Sequence, residues 1–178
     1  MSGISYTPAD TTGQLATAVP GSHTMEKGGL AGGTATRWPR ESVMPPLGAL
    51  TTAPGSARAH VRAVLPGWHL DHLTETCQVV VSELVTNAVN ASTAPMGGPV
   101  YVDGRMAVVR LRLHSDGLRV LAEVWDQAPG FPAPRRAHSS EEDGRGLQLV
   151  DALTRGRWGW QAVDRQAKVV WAELSAGA

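Results

Sequence analysis

The chain has 178 residues, 42% of them hydrophobic, and its 16 basic and 16 acidic side chains cancel. That length predicts one domain with a sizeable core, and the hydrophobic share excludes wholesale disorder. Zero net charge argues against direct nucleic-acid binding through a basic field, and the lone Cys77 excludes an intrachain disulfide or a multi-cysteine metal site.

The N-terminal third differs in composition from the rest. Of residues 1 to 55, 35 are Gly, Ala, Ser, Thr or Pro and 6 are charged, with no apolar period of 2 or 3.6. Such a stretch buries too little apolar area to offset its ordering entropy. Residues 1–52 are therefore expected to form a flexible extension and residues 53–178 the folded domain. Trp38 and the stretch from Val43 to Leu50 are the parts of the extension able to dock elsewhere. No apolar run approaches the roughly 20 residues of a membrane span, and no basic start leads into an apolar stretch at the N-terminus. A cytoplasmic protein with no membrane partner is expected. Only 2 of the 16 basic residues are lysine, a bias read as that of a GC-rich coding sequence and not as chemistry.

In chain order, Ala57 to Leu65 reads as a short helix with Ser56 as its N-cap, stopped by Pro66-Gly67. A longer helix runs from about Leu70 to Ala91, where Leu73, Cys77, Val80, Val81, Leu84, Ala88 and Ala91 define one apolar face. The pattern then switches to period 2. Val100–Val102 and Met106–Leu113 flank Asp103-Gly104, and Asp116-Gly117 leads into Leu118–Asp126. Asp-Gly between alternating runs predicts hairpins with type I′ turns. Gln127 to Asp143 reads as a loop, Gly146 to Leu153 as a helix, and Arg157–Val163 with Lys168–Leu174 as a last hairpin. Helices segregated onto one face of a mostly antiparallel sheet give an α+β fold, a two-layer α/β sandwich.

Three segments carry candidate chemistry. Glu83 and Asn87 lie about 40° apart on the long helix, one turn apart, at the border of its apolar stripe. A carboxamide oxygen there can ligate Mg²⁺ and a carboxylate can orient or deprotonate a nucleophile. The same spacing also suits a polar pair decorating a helix border. Asp126 ends a strand whose even-numbered positions are apolar, so it points to the layer interface, where a carboxylate requires a partner. The exocyclic amine of adenine would supply one, and Gly130 would let backbone approach a base; a turn-capping aspartate before a Pro-Gly loop fits equally. Gly144-Arg145-Gly146-Leu147 opens an apolar helix, where free N–H groups and the helix dipole favour a phosphate. A flexible glycine loop has the same composition. This segment matches neither a P-loop nor a dinucleotide fingerprint.

Taken in order, the three resemble the Bergerat-fold ATP-binding superfamily of gyrase B, Hsp90 and histidine-kinase catalytic domains. Val81-Ser82-Glu83-Leu84-Val85-Thr86-Asn87-Ala88 is most similar to the asparagine box of the bacterial anti-sigma-factor serine/threonine kinases. The resemblance covers about Pro54 to Leu174. It implies that Asn87 coordinates the Mg²⁺ bridging the ATP phosphates and that Glu83 is the general base. It further implies that Asp126 bonds the adenine amine, that Gly130 shapes the base pocket, and that Gly144, Arg145, Gly146 and Leu147 line the phosphates under a lid from Gln127 to Asp143. ATP and Mg²⁺ are thus the expected cofactors. A small antagonist protein, with a sigma factor beyond it, is the expected partner, and homodimers are common among such relatives. One departure stands out: Ala128-Pro129 occupies the place of the first glycine in the family's Asp-x-Gly-x-Gly box.

Three readings of function stay open. One is a kinase controlling a transcription factor by partner switching. The second is a non-catalytic, nucleotide-gated protein-binding module, which Ala128 and the short lid would suit. The third is a structural or interaction domain that no longer binds nucleotide. A full histidine kinase or a gyrase- or Hsp90-like machine is not expected from this length and composition. His69 and His72, without a further ligand nearby, read as surface residues, and Cys77 reads as a core residue. Trp158, Trp160 and Trp171 read as packing residues, and Asn90-Ala91-Ser92 is not read as a glycosylation site.

Overall fold

The computed structural model describes residues 38–94, 97–102, 104–127, 146–163 and 167–176. Eight strands and three helices are described: β1 (Arg40–Val43), β2 (Leu47–Gly48), α1 (Ala53–Val64), α2 (Thr74–Ala91), β3 (Tyr101–Val102), β4 (Arg105–Met106), β5 (Val108–Ser115), β6 (Arg119–Asp126), α3 (Gly146–Thr154), β7 (Trp158–Ala162) and β8 (Lys168–Ser175). The sheet runs β1-β5-β6-β8-β7, antiparallel throughout, with β2 also on β5, while β3 and β4 form a separate ribbon. α1 packs on α2, α2 on β5, β6, β8 and α3, and α3 on β7 and β8. The expected two-layer α/β sandwich is the observed fold.

Period-2 alternation sorts the sheet into two faces. Val109, Leu111, Leu113, Val120, Ala122, Val124, Val170, Ala172 and Leu174 are all buried in the core beneath the helices. The opposite face is polar. There Arg112 pairs with Glu41 at 3.2 Å, His114 with Glu123 at 3.1 Å, and Glu173 with Arg119 at 3.2 Å and Arg157 at 2.7 Å. Arg119 also lies over the Trp38 ring, 5.2 Å from its centroid. The three tryptophans of the last hairpin divide between the faces. Trp158 is buried in the core with its Nε1 donating to Asp151 at 2.8 Å, and Trp160 packs against that core. Trp171 covers β7 on the other side, where a Cβ at Gly159 would come within 2.8 Å of the indole.

The expected flexible extension does not reach residue 52. Arg40–Val43 pairs with Ser115 to Arg112 of β5, and Leu47–Gly48 with Val109 and Val108. Side chains fasten this edge where periodicity is too short to read. Arg40 donates to the Trp68 carbonyl at 2.9 Å, and Ser42 Oγ lies 3.1 Å from His60 Nε2 on α1. Burial lowers the His60 pKa, favouring the neutral ring. α1 also starts earlier than expected. Pro54 sits in its first turn, where a missing N–H costs nothing, so Ser56 lies within the helix and caps nothing. Ala53, Ala57 and Val61, spaced four apart, are its buried face.

Two further local expectations are corrected. The start of the long helix is a 3₁₀ turn, Asp71–Leu73, after His69 adopts φ 60°, and the α-helix begins at Thr74. The β5–β6 connection is not a two-residue type I′ turn, because Ser115 pairs with Val120. Of its residues only Gly117 has positive φ, 92°. Asp116 instead accepts the backbone N–H groups of Leu118 at 2.9 Å and Arg119 at 2.8 Å, plus the Arg119 guanidinium. Burial would raise its pKa, but these bonds and that charge outweigh it and hold the carboxyl below the usual range. Among the described residues no helix is long and apolar enough to cross a membrane, and no cluster of three metal-ligating side chains occurs. His69 and His72 are exposed.

Cys77 is fully buried on the inner face of α2, as its position in the apolar stripe predicts. Burial pushes its thiol from 9.0 to about 12. The folded state therefore keeps the proton through a range in which the unfolded chain releases it, so stability is intact below the ordinary value and falls as pH rises towards 12. A maleimide is expected to leave Cys77 unlabelled in native protein at pH 8 and to label it fully in urea. Rapid native labelling would show that the helix layer opens.

Candidate functional site

The segment that carries Glu83 and Asn87 is positioned by its neighbours on α2. Val80, Val81, Leu84, Val85 and Ala88 are buried, which fixes the helix rotation and leaves Glu83 and Asn87 half-buried along its border. The Asn87 amide nitrogen is buried and has no hydrogen-bond partner among the described residues. Directly beside this pair lies the first residue of α3. A methyl group on Gly146 would collide with the Glu83 carboxylate and sit 3.8 Å from Asn87 Nδ2. The N-terminus of α3 thus rests on the Glu83–Asn87 pair, with backbone in contact distance only because residue 146 is glycine. The first turn of any helix offers N–H groups without intrahelical acceptors. Here that turn faces the two polar side chains most suited to phosphate and cation chemistry.

The bare Gly146 gives a quantitative check. Alanine is the better helix former by up to about 1 kcal/mol, whereas overpacking costs about 1–3 kcal/mol. The contact predicts that Gly146→Ala lowers the thermal midpoint. A raised midpoint would mean that Glu83 moves aside freely.

Leu147 is 9% exposed and belongs to the hydrophobic core, so its side chain anchors α3 and only its backbone can face a ligand. Asp126, the last residue of β6, lies on the helix-facing side of the sheet and is 2% exposed. Within the protein Asp126 already has a partner. Lys168 Nζ lies 2.6 Å from Asp126 Oδ1, and the two side chains are 8% and 1% exposed. The register pairs Asp126 directly with Lys168 across the β6–β8 ladder, so the protein meets the buried carboxylate's need itself. Lys168 was missed in the sequence. Its signal was there: one of two lysines in the chain, placed in phase with the core residues Val170, Ala172 and Leu174.

α2 lies on β6, which ends at Asp126, and α3 lies on α2 and on β8, which begins at Lys168. Gly130, Gly144 and Arg145, with Ala128-Pro129 and the proposed lid up to Asp143, lie outside the described residues.

A family model for the histidine kinase-like ATPase domain matches residues 49–167. The chain belongs to the histidine kinase-like ATPase family. The matched span holds Glu83, Asn87, Asp126 and Gly146 at the start of α3, and it begins within the turn that leads into α1. Membership in the family makes this an ATP-binding module, with ATP as the implied ligand. No curated protein matches the chain.

The residues present fit the Mg²⁺ that accompanies ATP. Asn87 would offer its carboxamide oxygen, its amide nitrogen having no partner among the described residues, and the glycine at 146 keeps the space beside it clear of side chain. One carboxamide with phosphate oxygens and water is a sufficient set for a cation that retains several waters.

Proposed function

We propose that this ATPase-family module is a serine/threonine protein kinase of the anti-sigma-factor type. In this reading it phosphorylates a small antagonist protein and so controls a transcription factor by partner switching. The observation that carries the reading is the contact of Gly146 with Glu83 beside the unpartnered Asn87 amide. In this reading a potential base, a cation ligand and a helix N-terminus share one small volume.

In that arrangement the first turn of α3 binds phosphate oxygens through backbone N–H groups. Asn87 would hold Mg²⁺, which would supply charge neutralisation on the phosphates. Glu83 accepts the proton of the incoming serine or threonine hydroxyl. The hydroxyl oxygen bonds to the γ-phosphorus, the bond from that phosphorus to the β,γ-bridging oxygen breaks, and ADP leaves. Asp126 anchors the base at the far end of β6. Glu83 is half-buried and, among the described residues, in no ion pair, a setting that suits a base exchanging protons with a substrate.

Calorimetry with ATP and Mg²⁺ tests the binding half. Saturable binding is expected, and Asn87→Ala is expected to weaken it by at least about 100-fold, since even indirect metal supports are worth 10–100-fold. Glu83→Ala separates binding from transfer. It is expected to retain ATP and to lose about 10²–10⁴-fold in phosphate transfer to a hydroxyl-bearing partner. Wild-type protein that binds Mg-ATP and transfers none to its partner would favour the nucleotide-gated module over the kinase.

A further inference from the structure

The three helices pack on one face of the sheet, and among the described residues none of them lies over the other. That outer face is nevertheless shut off from water. Val169 is 1% exposed and Trp171 8%, and Arg112, His114 and Glu173 around them are buried as well. Taller neighbours can hide a valine. They do not hide a tryptophan, the largest kind of side chain, whose indole rests over Gly159. The indole nitrogens of Trp125 and Trp171 are also buried without a hydrogen-bond partner among the described residues. A buried indole N–H ordinarily has an acceptor. These side chains are buried within one chain, so a second copy is not what removes them from water.

Trp38 marks where the chain enters this face, since Arg119 at the start of β6 lies over its ring. The sequence just before it suits close contact. Residues 28–36 hold four glycines, two alanines, two threonines and one leucine, with no charge. Small side chains let backbone approach bulky rings, and its carbonyls are the acceptors that two indole donors need. The reach also fits. Trp125 lies six residues along β6 from Arg119, about 20 Å, and nine extended residues span about 30 Å. Residues 128–145, by contrast, connect Gln127 to the first turn of α3 in the helix layer. We propose that residues 28–36 lie across the outer face of the sheet, over Trp171 and Trp125, as a cover built into the chain. The face is then closed to a second copy or another protein until the cover lifts.

The indole N–H signals of the isotope-labelled whole chain, followed by NMR, test this. A nitroxide is attached through Lys27→Cys, next to the cover; Cys77 is buried and stays unlabelled in native protein. The nitroxide is expected to broaden the indole signals of Trp125 and Trp171 more than that of Trp158, which faces the helices. Nitroxide-bearing chains without the isotope, mixed with isotope-labelled chains without the nitroxide, are expected to broaden neither. Broadening in the mixture as strong as within one chain assigns the face to a second copy and overturns the proposal. So does a nitroxide that broadens Trp125 and Trp171 no more than Trp158, the result for a face shielded only by its own neighbours. In a chain lacking residues 2–37, the Trp125 and Trp171 indole protons are expected to exchange with deuterium about 10- to 100-fold faster, the protection that burying one large apolar side chain confers. Trp158 is expected to keep its rate. Unchanged exchange at Trp125 and Trp171 in the folded, shortened chain also overturns the cover. If the shortened chain fails to fold, the nitroxide experiment on the whole chain decides alone.

Discussion

Asp126→Ala is expected to lower the unfolding free energy by about 3–5 kcal/mol. The reason lies in what the substitution leaves behind. The Lys168 side chain is 8% exposed, and its ammonium would stay buried after losing the carboxylate 2.6 Å away. Removing one partner of a buried ion pair costs more than the pair contributes, because the desolvation of the remaining charge has been incurred and the Coulombic return from that partner is gone. Urea denaturation followed by circular dichroism measures the change as a shifted midpoint at constant slope. The double variant Asp126→Ala/Lys168→Met is expected to recover most of the loss, since it removes both charges from the same site. A single-variant loss below about 1 kcal/mol would mean that Lys168 reaches water easily, as a surface pair does.

Leu84→Ala is expected to cost about 2–5 kcal/mol through lost burial and a residual cavity. Leu84 is 1% exposed on α2, the helix that packs on β5, β6, β8, α1 and α3, so no single neighbour can relax to fill the space. The substitution also reaches function. Leu84 follows Glu83 directly in the chain and lies three residues before Asn87. A looser helix no longer holds those side chains against Gly146, and Mg-ATP affinity is expected to fall along with stability. Calorimetry at a temperature where the variant is still folded checks this. Unchanged affinity in a destabilised protein would show that the site is held by α3 and not by the packing beneath α2.

Much of the fold was legible because its long elements are strongly periodic. The apolar residues of α2 recur at helical spacing, and this alone puts Glu83 and Asn87 one turn apart at the edge of the buried stripe. The alternation Val120, Ala122, Val124 sends Asp126 inward, and Val170, Ala172, Leu174 does the same for Lys168. The edge strand β1 was not legible. Four residues, Arg40–Val43, in a stretch rich in proline and small residues carry no period, and they become a strand only through pairing with β5 and contacts to Trp68 and His60. The Asp116 turn misled for a related reason. Asp-Gly is compatible with a type I′ turn, but here the aspartate's side-chain bonds to two following N–H groups support the longer connection.

By itself the sequence determined the class of fold, the order of its helices and strands, and which face of each long element is buried. These follow from side-chain periodicity, a property of neighbours along the chain. Only the tertiary structure decided that Asp126 meets Lys168 and that the bare Gly146 sits against the Glu83 carboxylate. The first pair is separated by 42 residues and the second contact joins two helices. Such contacts are set by cross-strand register and helix packing, which depend on how the whole chain closes. The need of a buried carboxylate for a partner could be inferred from Asp126 alone; the identity of that partner required the ladder between β6 and β8.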